Sequence, residues 1–515
     1  MSPTPANRLY FGDCLEVMRE DIADESIDLI YLDPPFNSKR LYNAFIGGAQ
    51  WVAFDDTWRW HEAVDDFHQV AADVNLADTI EGLRRMLGEG TQLAYLSYMA
   101  NRLRECRRVL KSTGSIYLHC DPTMSHFLKI VMDGIFGVNN FQNEIIWKRT
   151  SAHSGAKRYG PVHDTILFYS VRKSFTWNVN YMPYDQYYID QFFTHIDEKG
   201  RRWRRTDLTG PGVRDGDSGL AWRHHNPTNR GRHWQPPSYF YEKYTELTGD
   251  DLARYPLIER LDSLDRVGLV HWPRKSDGVP QGKRLLEDAP GVPVQDVWAD
   301  IRPIHNQSKE RLGYETQKPV ELLERIIRSS SNEDDVILDP FCGCGTTIHA
   351  AQILSRRWVG IDICVNACKI IEERLRSHFD SLWDDVQFIG MPKTHDDART
   401  LADLDKFRFE RWAASLVDGM EANKKQRSDK GIDGRGRIPI KKGQFIDIVS
   451  QVKGGKTAPG DVQAFNGARQ QAGADIGVFT CFEERVTTNM RNAAASAGRF
   501  MNVPTIQIYT IEDYF

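Results

Sequence analysis

Two short motifs, far apart in the sequence, each follow directly on an apolar run typical of a β-strand. The first, Asp33–Phe36, comes after Ile27–Leu32, and the second, Asp339–Thr347, comes after Val336–Leu338. In parallel sheets, ligands bind beyond the carboxyl ends of the strands. We therefore expect the two motifs to lie at one edge of a parallel sheet and to form two halves of one pocket.

Short apolar strands alternate with longer helical stretches over most of the chain. The predicted strands are Ile27–Leu32, Gly114–Cys120, Asn143–Trp147, Thr165–Tyr169, Val336–Leu338 and Trp358–Ile361. The predicted helices are Leu93–Leu110, Phe127–Phe136, Pro319–Ser329 and Thr346–Leu354. This alternation predicts an α/β fold with a mostly parallel, doubly wound, Rossmann-like sheet.

The length of 515 residues is too great for one ordinary core, so we expect two or three domains. Residues 1–175 and 301–390 would form two halves of one α/β domain. Residues 176–300 lose the periodicity and are rich in Trp, Tyr, Pro, Gly and Arg, which is typical of a loop-rich insert. After a linker at 391–405, residues 406–515 would form a separate small α/β domain.

The composition is that of a soluble globular protein, with 41% hydrophobic and 27% charged residues. No run of eighteen apolar residues predicts a membrane span, and the first residues lack a signal pattern. Eight cysteines show no paired framework. These features indicate a reducing, cytoplasmic compartment with free thiols and no membrane partner.

Two stretches are basic although the whole chain carries a net charge of −5. Lys199–Trp234 contains nine Lys or Arg against three Asp, and Lys406–Lys456 contains thirteen against six acids. Local basic surfaces in an acidic chain are typical of partial contact with nucleic acid. Solvated loops with no partner remain the alternative for either stretch.

The first motif has the groups needed to act on an exocyclic base amine, which is a poor nucleophile. The Asp33 carboxylate and the Pro34 carbonyl could accept hydrogen bonds from both amine hydrogens, and Pro34 with Pro35 would hold that corner stiff. Phe36 offers a flat face on which a flipped base can stack. Taken alone, the motif could equally be an ordinary turn after a strand.

The second motif ends a strand and opens a helix, where a glycine loop lets a ligand approach the backbone. Asp362 follows the next strand, about twenty residues on, where an acid can hold ribose hydroxyls. No Gly-Lys-Ser/Thr ending is present, which argues against a phosphate-binding loop. Cys342 and Cys344 have no second cysteine pair at ligand spacing, so we predict no metal there.

In this order, the two motifs resemble those of the amino-methylating DNA methyltransferases of the β arrangement, and the resemblance spans residues 8–390. It implies S-adenosylmethionine as the methyl donor, double-stranded DNA as the substrate and no metal for the transfer. Asp13, in a Gly-Asp element, would contact the adenosyl part, and Lys318 the methionine end. The cofactor residues that the resemblance implies are Asp13, Lys318, Asp339, Phe341, Gly343, Gly345, Thr346 and Asp362.

The same resemblance assigns target recognition to residues 176–300. A cluster around Trp203 would contact DNA phosphates and base edges. Its members are Arg201, Arg202, Arg204 and Arg205. Asp first and an aromatic residue fourth in the catalytic motif favour adenine N6 as the target, with cytosine N4 as the alternative. A palindromic target would favour a homodimer.

In residues 406–515, Gly431-Ile432-Asp433-Gly434 precedes a predicted strand that ends in Ser450-Gln451-Val452-Lys453. This pattern resembles that of the PD-(D/E)xK nucleases, and of Mrr-like restriction nucleases in particular. Asp433, the Gln451 side chain and the Val452 carbonyl could hold Mg²⁺, and Lys453 could orient the attacking water. Glu410, on a preceding helix, could contact the metal or one of its ligands. Because Gln replaces an acid, the metal site loses one negative charge. The leading hypothesis is a restriction–modification protein that methylates and cuts DNA; the alternative is a methyltransferase whose last domain only binds DNA.

Overall fold

The computed structural model describes residues 7–37, 41–46, 49–150, 157, 159–274, 278–305, 307–379, 386–392, 394–417, 420–422, 431–441 and 444–515. They divide into two compact units. One unit, called the insert unit below, is Val179–Val294. The other combines the chain up to Asn178 with the chain from Gln295 onward.

The N-terminal part of the larger unit alternates strands with helices, as the sequence predicts. Its strands are β1 (Arg8–Phe11), β2 (Ile27–Leu32), β3 (Leu41–Ile46), β4 (Ala49–Asp55), β5 (Leu110–Cys120), β6 (Phe141–Lys148) and β7 (His163–Ser170). Its helices are α1 (Cys14–Asp21), α2 (Trp60–Ala71), α3 (Ala77–Leu87), α4 (Thr91–Val109) and α5 (Ser125–Phe136). Asp13 begins α1 as its N-cap, because its carboxylate accepts the N–H of Leu15.

The insert unit has short strands and its own hydrophobic core. Its strands are β8 (Tyr181–Met182), β9 (His195–Ile196), β10 (Arg202–Asp207), β11 (Thr209–Pro211), β12 (Arg232–Trp234), β13 (Val270–His271), β14 (Gln281–Leu285) and β15 (Val292–Pro293). Its helices are α6 (Gln186–Phe192), α7 (Ser238–Thr248) and α8 (Leu257–Arg266). Trp222, Trp234 and Phe240 are buried in one cluster, so these aromatic residues serve packing.

The rest of the chain returns to longer elements. Its strands are β16 (Val297–Trp298), β17 (Val336–Asp339), β18 (Arg357–Asp362), β19 (Gln387–Ile389), β20 (Met420–Ala422), β21 (Gly434–Lys441), β22 (Gln444–Lys453), β23 (Ile476–Cys481), β24 (Arg499–Phe500), β25 (Val503–Pro504) and β26 (Ile506–Thr510). Its helices are α9 (Val320–Ser330), α10 (Thr346–Ile353), α11 (Val365–His378), α12 (His395–Leu404), α13 (Lys406–Ser415), α14 (Pro459–Ala472) and α15 (Thr488–Ser496). Helix α12 occupies most of the stretch predicted as a linker.

The core sheet of the larger unit has, among the described residues, the strand order β16-β6-β7-β5-β2-β17-β18-β1-β19. The pairs from β5 to β19 are parallel, and β7 runs antiparallel to both β5 and β6. This arrangement confirms the predicted doubly wound α/β fold. Strands β2 and β17 are direct neighbours, with Ile30 opposite Leu338, so the two motifs that follow them meet at one edge.

Helix α4 and the central strands share one large buried cluster. Leu96, Met99 and Leu103 of α4 are fully buried in it, together with Ile30 and Ile116 of the sheet. Burial of each such side chain stabilises the fold by about 1.5–3 kcal/mol. The packing makes β2 and β5 a rigid base for the loops at their ends.

Residues 406–515, called the C-terminal segment below, form a second sheet with the order β20-β21-β22-β23-β26. Strands β20, β21 and β22 are antiparallel, whereas β22, β23 and β26 are parallel. Phe465, Phe479 and Met490 are buried between this sheet and its helices. The predicted small α/β domain is therefore present.

Candidate active site

Four carboxylates lie at the carboxyl ends of adjacent parallel strands. Asp33 directly follows β2, Asp339 ends β17, Asp362 ends β18, and Asp13 lies just beyond β1. All four line one cavity of about 280 Å³, called the central cavity below. Strand order, and not sequence distance, brings them together.

The central cavity contains most of the residues predicted to contact the cofactor. Those that line it are Asp13, Lys318, Asp339, Phe341, Gly343, Thr346 and Asp362. Gly345 lies at the start of α10, outside the lining. From the catalytic motif, Asp33 and Pro35 line the cavity, whereas Pro34 is buried and Phe36 is half-buried beside it.

Asp33 is held by Lys318, whose ammonium group donates a hydrogen bond to Oδ2 of the carboxylate. Lys318 also donates to the carbonyl oxygen of Thr316 at 3.2 Å. The other carboxylate oxygen of Asp33 is buried and accepts no hydrogen bond within the described part of the chain. Asp33 therefore lines the cavity with one oxygen bound by Lys318 and one buried oxygen that has no hydrogen bond in the described chain.

The backbone after the catalytic aspartate is held by Asp56, which sequence reasoning missed. The N–H groups of Phe36 and Asn37 donate to the two carboxylate oxygens of Asp56 at 3.1 and 2.8 Å. Asn37 has a positive φ of 60°, so these bonds hold a sparsely populated turn. No local pattern predicts that a carboxylate in a distant strand–helix connection meets this loop.

A buried hydrogen-bonded chain supports Phe36 from below. The Phe36 ring stacks on His119 at a centroid distance of 5.8 Å. His119 contacts the Tyr31 hydroxyl at 2.9 Å and Asp164 at 3.1 Å through its two ring nitrogens. Burial would raise the pKa of Asp164, but His119 and Arg149 outweigh it and hold the pKa below its usual value. The sequence offers one signal for His119, because it is a polar residue near the end of the buried strand β5.

The glycine loop is shaped by contacts to Asp362. The N–H of Gly343 donates to Oδ2 of Asp362 at 2.7 Å, and the N–H of Cys364 donates to Oδ1 at 2.8 Å. Gly345 has a φ of +73°, and a Cβ there would lie 2.7 Å from Ile371. Only glycine fits that position without displacing its neighbour.

Burial raises the pKa of Asp339 to about 7 and that of Asp362 to about 6. Hydrogen bonds from Thr347 and from the Phe341 N–H partly offset the effect at Asp339. Because the pKa values of these two acids lie near neutral pH, their protonation can change when a cationic ligand binds in the cavity.

Asp13 is bound by a second buried cation. Arg102 donates to both carboxylate oxygens of Asp13, at 2.9 and 2.7 Å. The Arg102 guanidinium also lies 3.3 Å from the centroid of the Tyr98 ring. Burial would raise the pKa of Asp13, but Arg102 and then Arg411 outweigh it and lower the pKa. Sequence reasoning missed both arginines.

The four arginines predicted to contact DNA have different partners. Arg201 pairs with Asp197 and Glu287, and Arg202 pairs with Asp190. Arg204 donates to the Tyr188 hydroxyl at 2.9 Å and Arg205 to a ring nitrogen of His195 at 3.1 Å. The last two keep an uncompensated charge in these bonds. Trp203, between them, is buried.

The predicted nuclease residues lie around the ends of β21 and β22. Oδ2 of Asp433 accepts the N–H of Val452 at 2.7 Å. Gln451 is buried, and its side-chain oxygen accepts no hydrogen bond from the described residues. Lys453 is half-buried at the end of β22, and Glu410 is half-buried on α13.

Within the described residues, the one group of three or more His, Cys, Asp or Glu side chains close enough to share an ion is His395, Glu484 and Glu512. It includes none of the predicted nuclease residues. Arg399 already donates to both oxygens of Glu484, at 2.6 and 2.5 Å. No helix in the described part of the chain is long and apolar enough to cross a membrane.

The fold and the cavity agree with two family models. Residues 27–373 match the model for DNA methylases of the N6/N4 type. Residues 407–514 match a model described as NACHT-associated inactive restriction endonuclease 1. The second match covers the C-terminal segment and does not support its identification as an active Mrr-like nuclease.

Curated relatives are similar over the same region. The type II methyltransferase M.EcaI of Enterobacter cloacae is 34% identical over 371 residues, which is 72% of this chain and 69% of the relative. The Mod subunit of the type III restriction–modification enzyme StyLTI of Salmonella typhimurium is 28% identical over 366 residues, 68% of this chain and 50% of the relative. The solved PvuII DNA methyltransferase, which is cytosine-N4-specific, shares 14% identity with a TM-score of 0.32, over 75% of this chain and 95% of its own.

The loop that follows β2 and the glycine loop that follows β17 lie on adjacent strands of a doubly wound sheet, and the family match over residues 27–373 gives the class as a DNA methylase. The chain belongs to the N6/N4 DNA methylase family, which confirms that part of the sequence-based prediction.

Proposed function

We propose that the protein transfers the methyl group of S-adenosylmethionine to the exocyclic amine of a base flipped out of double-stranded DNA. The observation that carries this proposal is the state of Asp33. One of its oxygens is bound by Lys318, and the other is buried, without a partner in the described chain, in the cavity that also holds the glycine loop.

In this proposal, Asp33 is the residue that acts on the amine. Its unpartnered oxygen would accept one amine hydrogen, and the carbonyl of Pro34 would accept the other. Both bonds draw the nitrogen towards tetrahedral geometry and return its lone pair for attack on the methyl group. As the new N–C bond forms, the bond between methyl and sulfur would break to leave S-adenosylhomocysteine, and the amine would lose one proton to the Asp33 carboxylate or to water. Phe36, supported by His119, supplies the face on which the base stacks.

The glycine loop and its partners would hold the methyl donor. Asp362 would bind the ribose hydroxyls, while Gly343 and Phe341 lie against the rest of the molecule. The bound cofactor supplies a sulfonium-activated methyl group. Asp339, ionised, would lie near that positive charge.

Adenine N6 is the proposed target, with cytosine N4 as the alternative. Asp first and Phe fourth in the motif favour adenine. The test is to incubate the full chain with duplex DNA and labelled S-adenosylmethionine, to digest the DNA and to identify the methylated nucleoside by mass spectrometry. Label in N4-methylcytosine alone would overturn the adenine assignment, and no label in any base would overturn the function.

In the insert unit, we propose that Arg204 and Arg205 contact DNA phosphates. Their hydrogen-bond partners, Tyr188 and His195, are not acids, whereas Arg201 and Arg202 are paired with acids among the described residues. A duplex attracts such charges independently of its sequence. Of the four arginines predicted to contact DNA, the proposal therefore keeps Arg204 and Arg205.

DNA cleavage by the C-terminal segment is a second candidate, and the unpartnered buried oxygen of Gln451 is the observation that favours it. The donor set fits Mg²⁺ poorly, because it offers one carboxylate, Asp433, and that group already accepts a backbone N–H. No cleavage step follows from these residues. The test is to incubate unmethylated DNA with Mg²⁺, comparing the unmodified protein with Lys453→Ala. Cuts that Lys453→Ala abolishes would establish the nuclease, and intact DNA under every divalent ion would exclude it.

A further inference from the structure

The central cavity has a wall that comes from the C-terminal segment. Arg411 and Ser415 of α13, with Met420 and Ala422 of β20, line the same cavity as Asp33 and Gly343. These four residues lie beyond 27–373, the part that matches the methylase family. The methylase part alone therefore does not enclose the cavity.

One face of helix α13 packs inside the C-terminal segment, and another face is directed at the methylase part. Phe409 and Trp412 are each 1% exposed, and both pack inside the C-terminal segment, against Phe482 and Phe515 respectively. Arg408, Arg411 and Ser415 follow the three- and four-residue spacing of one helix face. That face points at the methylase part.

Direct contacts place this face against the loop before α1. A Cβ on Gly12 would lie 3.7 Å from Nε of Arg408 and 3.8 Å from its Cζ. Glu16, on the first turn of α1, interacts electrostatically with Arg411 and Arg408. The loop that presents Asp13 to the cavity is therefore packed against α13.

One guanidinium from each part of the chain acts on Asp13. Arg102 of α4 donates to both of its oxygens, and Arg411 of α13 acts on it through space. Arg411 is only 8% exposed, and burying a guanidinium is costly unless acids compensate it. The position of α13 and the state of the cavity are thus linked through Asp13.

We propose that the endonuclease-like C-terminal segment is a structural part of the cofactor site, so that binding of the adenosyl cofactor and docking of α13 are coupled. The proposal rests on the proposed function in that the ligand is S-adenosylmethionine or its product S-adenosylhomocysteine. Coupling of this kind is reciprocal: what weakens the α13 wall weakens the binding of the cofactor, and the cofactor steadies α13.

The test uses the full chain and S-adenosylhomocysteine as the probe, measured by isothermal titration calorimetry. Ser415→Trp places a large side chain in the wall, and Arg411→Met removes the charge while keeping much of the volume. Each should raise the dissociation constant at least about tenfold, which is about 1.4 kcal/mol. The matched controls are Ser496→Trp and Arg491→Met on the exposed side of α15, which should bind as the unmodified protein does.

A second readout needs no substitution. Amide hydrogen exchange over Lys406–Ser415 should slow when S-adenosylhomocysteine is added to the unmodified protein. The coupling would be overturned if exchange over Lys406–Ser415 does not change, or if both wall variants bind S-adenosylhomocysteine as tightly as the unmodified protein does. Either result would leave the methyltransferase assignment standing. If the unmodified protein binds neither adenosyl compound, the proposed function itself fails.

Discussion

Lys318 donates a hydrogen bond to Oδ2 of Asp33, although the two residues lie 285 positions apart in the chain. The lysine neutralises a carboxylate that is only 17% exposed, and it occupies one oxygen alone. The other oxygen is buried and accepts no hydrogen bond from the described residues. The ion pair therefore distinguishes the two oxygens of Asp33, and only the second is left for the proposed contact with a base amine.

The first prediction concerns the acceptor oxygen. Asp33→Asn keeps the shape but can present an NH₂ group to the amine, so we expect methyl transfer to fall by about 10²–10³-fold, as when one oriented polar group is lost. Binding of S-adenosylhomocysteine should change little. Initial rates with labelled S-adenosylmethionine measure the effect, with the exposed Asp65→Asn as the control. Transfer at the unmodified rate would remove Asp33 from the catalytic role.

The second prediction concerns the ion pair. Breaking a buried pair costs about 3–5 kcal/mol, and less where the groups are partly exposed. Lys318→Met leaves Asp33 charged and unpaired, so it should lower the Tm of the full chain. The double variant with Asp33→Asn should regain most of that loss, because no charge is then left unpaired. Equal Tm values for Lys318→Met and the unmodified protein would contradict the pairing.

The third prediction concerns pH. Burial raises the pKa of Asp339 to about 7 and that of Asp362 to about 6, from an ordinary value of 3.8. Both groups are therefore mainly protonated at pH 5.5 and mainly ionised at pH 8. The ionised forms bind the cationic sulfonium and the ribose better, so the affinity for S-adenosylmethionine should rise with pH through this window.

The matched ligand for that measurement is S-adenosylhomocysteine, which lacks the sulfonium charge. Its affinity, titrated at pH 5.5, 7 and 8, should rise less. Asp339→Asn should reduce the difference between the two ligands. The same pH dependence for both ligands would show that Asp339 does not face the sulfonium.

The fourth prediction concerns the glycine loop. Gly345→Ala would hold alanine at a φ of +73° with its Cβ 2.7 Å from Ile371, so we expect a loss of about 1–3 kcal/mol and weakened cofactor binding. Gly467→Ala is the control, since Gly467 lies within α14 and a Cβ added there would meet no described atom within 4 Å. Alanine there should be neutral or stabilise the helix by up to about 1 kcal/mol. Thermal unfolding of both variants measures the contrast.

The fifth prediction concerns DNA binding. Arg204→Gln and Arg205→Gln should each reduce the slope of log affinity against log salt by about one, because each would remove one of the proposed phosphate contacts. Arg202→Gln should have a smaller effect, since Arg202 is paired with Asp190. Fluorescence anisotropy with duplex DNA across a salt series measures the slopes. Equal slopes for all three variants would mean that pairing with an acid does not decide which arginines contact DNA phosphates.

Much of the fold follows from local patterns. Apolar spacing predicts the strand Ile27–Leu32 and the helix Phe127–Phe136, and the structure places β2 at the same bounds and α5 at nearly the same ones. The reason is that a buried strand or an amphipathic helix imposes its period on the sequence. The stretch 391–405 resembles a linker in sequence because its apolar residues are few, yet a capping box at Thr394 begins α12 there.

The site is only partly predictable. Asp33 and Asp339 stand out because each lies where a strand ends, next to prolines or glycines. Asp56 carries no such mark, and His119 shows only as a polar residue near the end of the buried strand β5. Their partners, the Phe36 N–H and the Phe36 ring, lie in a different part of the sequence. Long-range partners of this kind arise from packing, which a short stretch of sequence does not reveal.

The sequence by itself determined the two motifs, the strands before them and hence the family. Only the tertiary structure decided that β2 lies beside β17, that Lys318 holds Asp33, and that Arg411 of the C-terminal segment reaches the wall of the central cavity. The physical reason is that hydrophobic periodicity specifies elements one at a time. Strand order and buried charge pairs are instead settled by how those elements pack together.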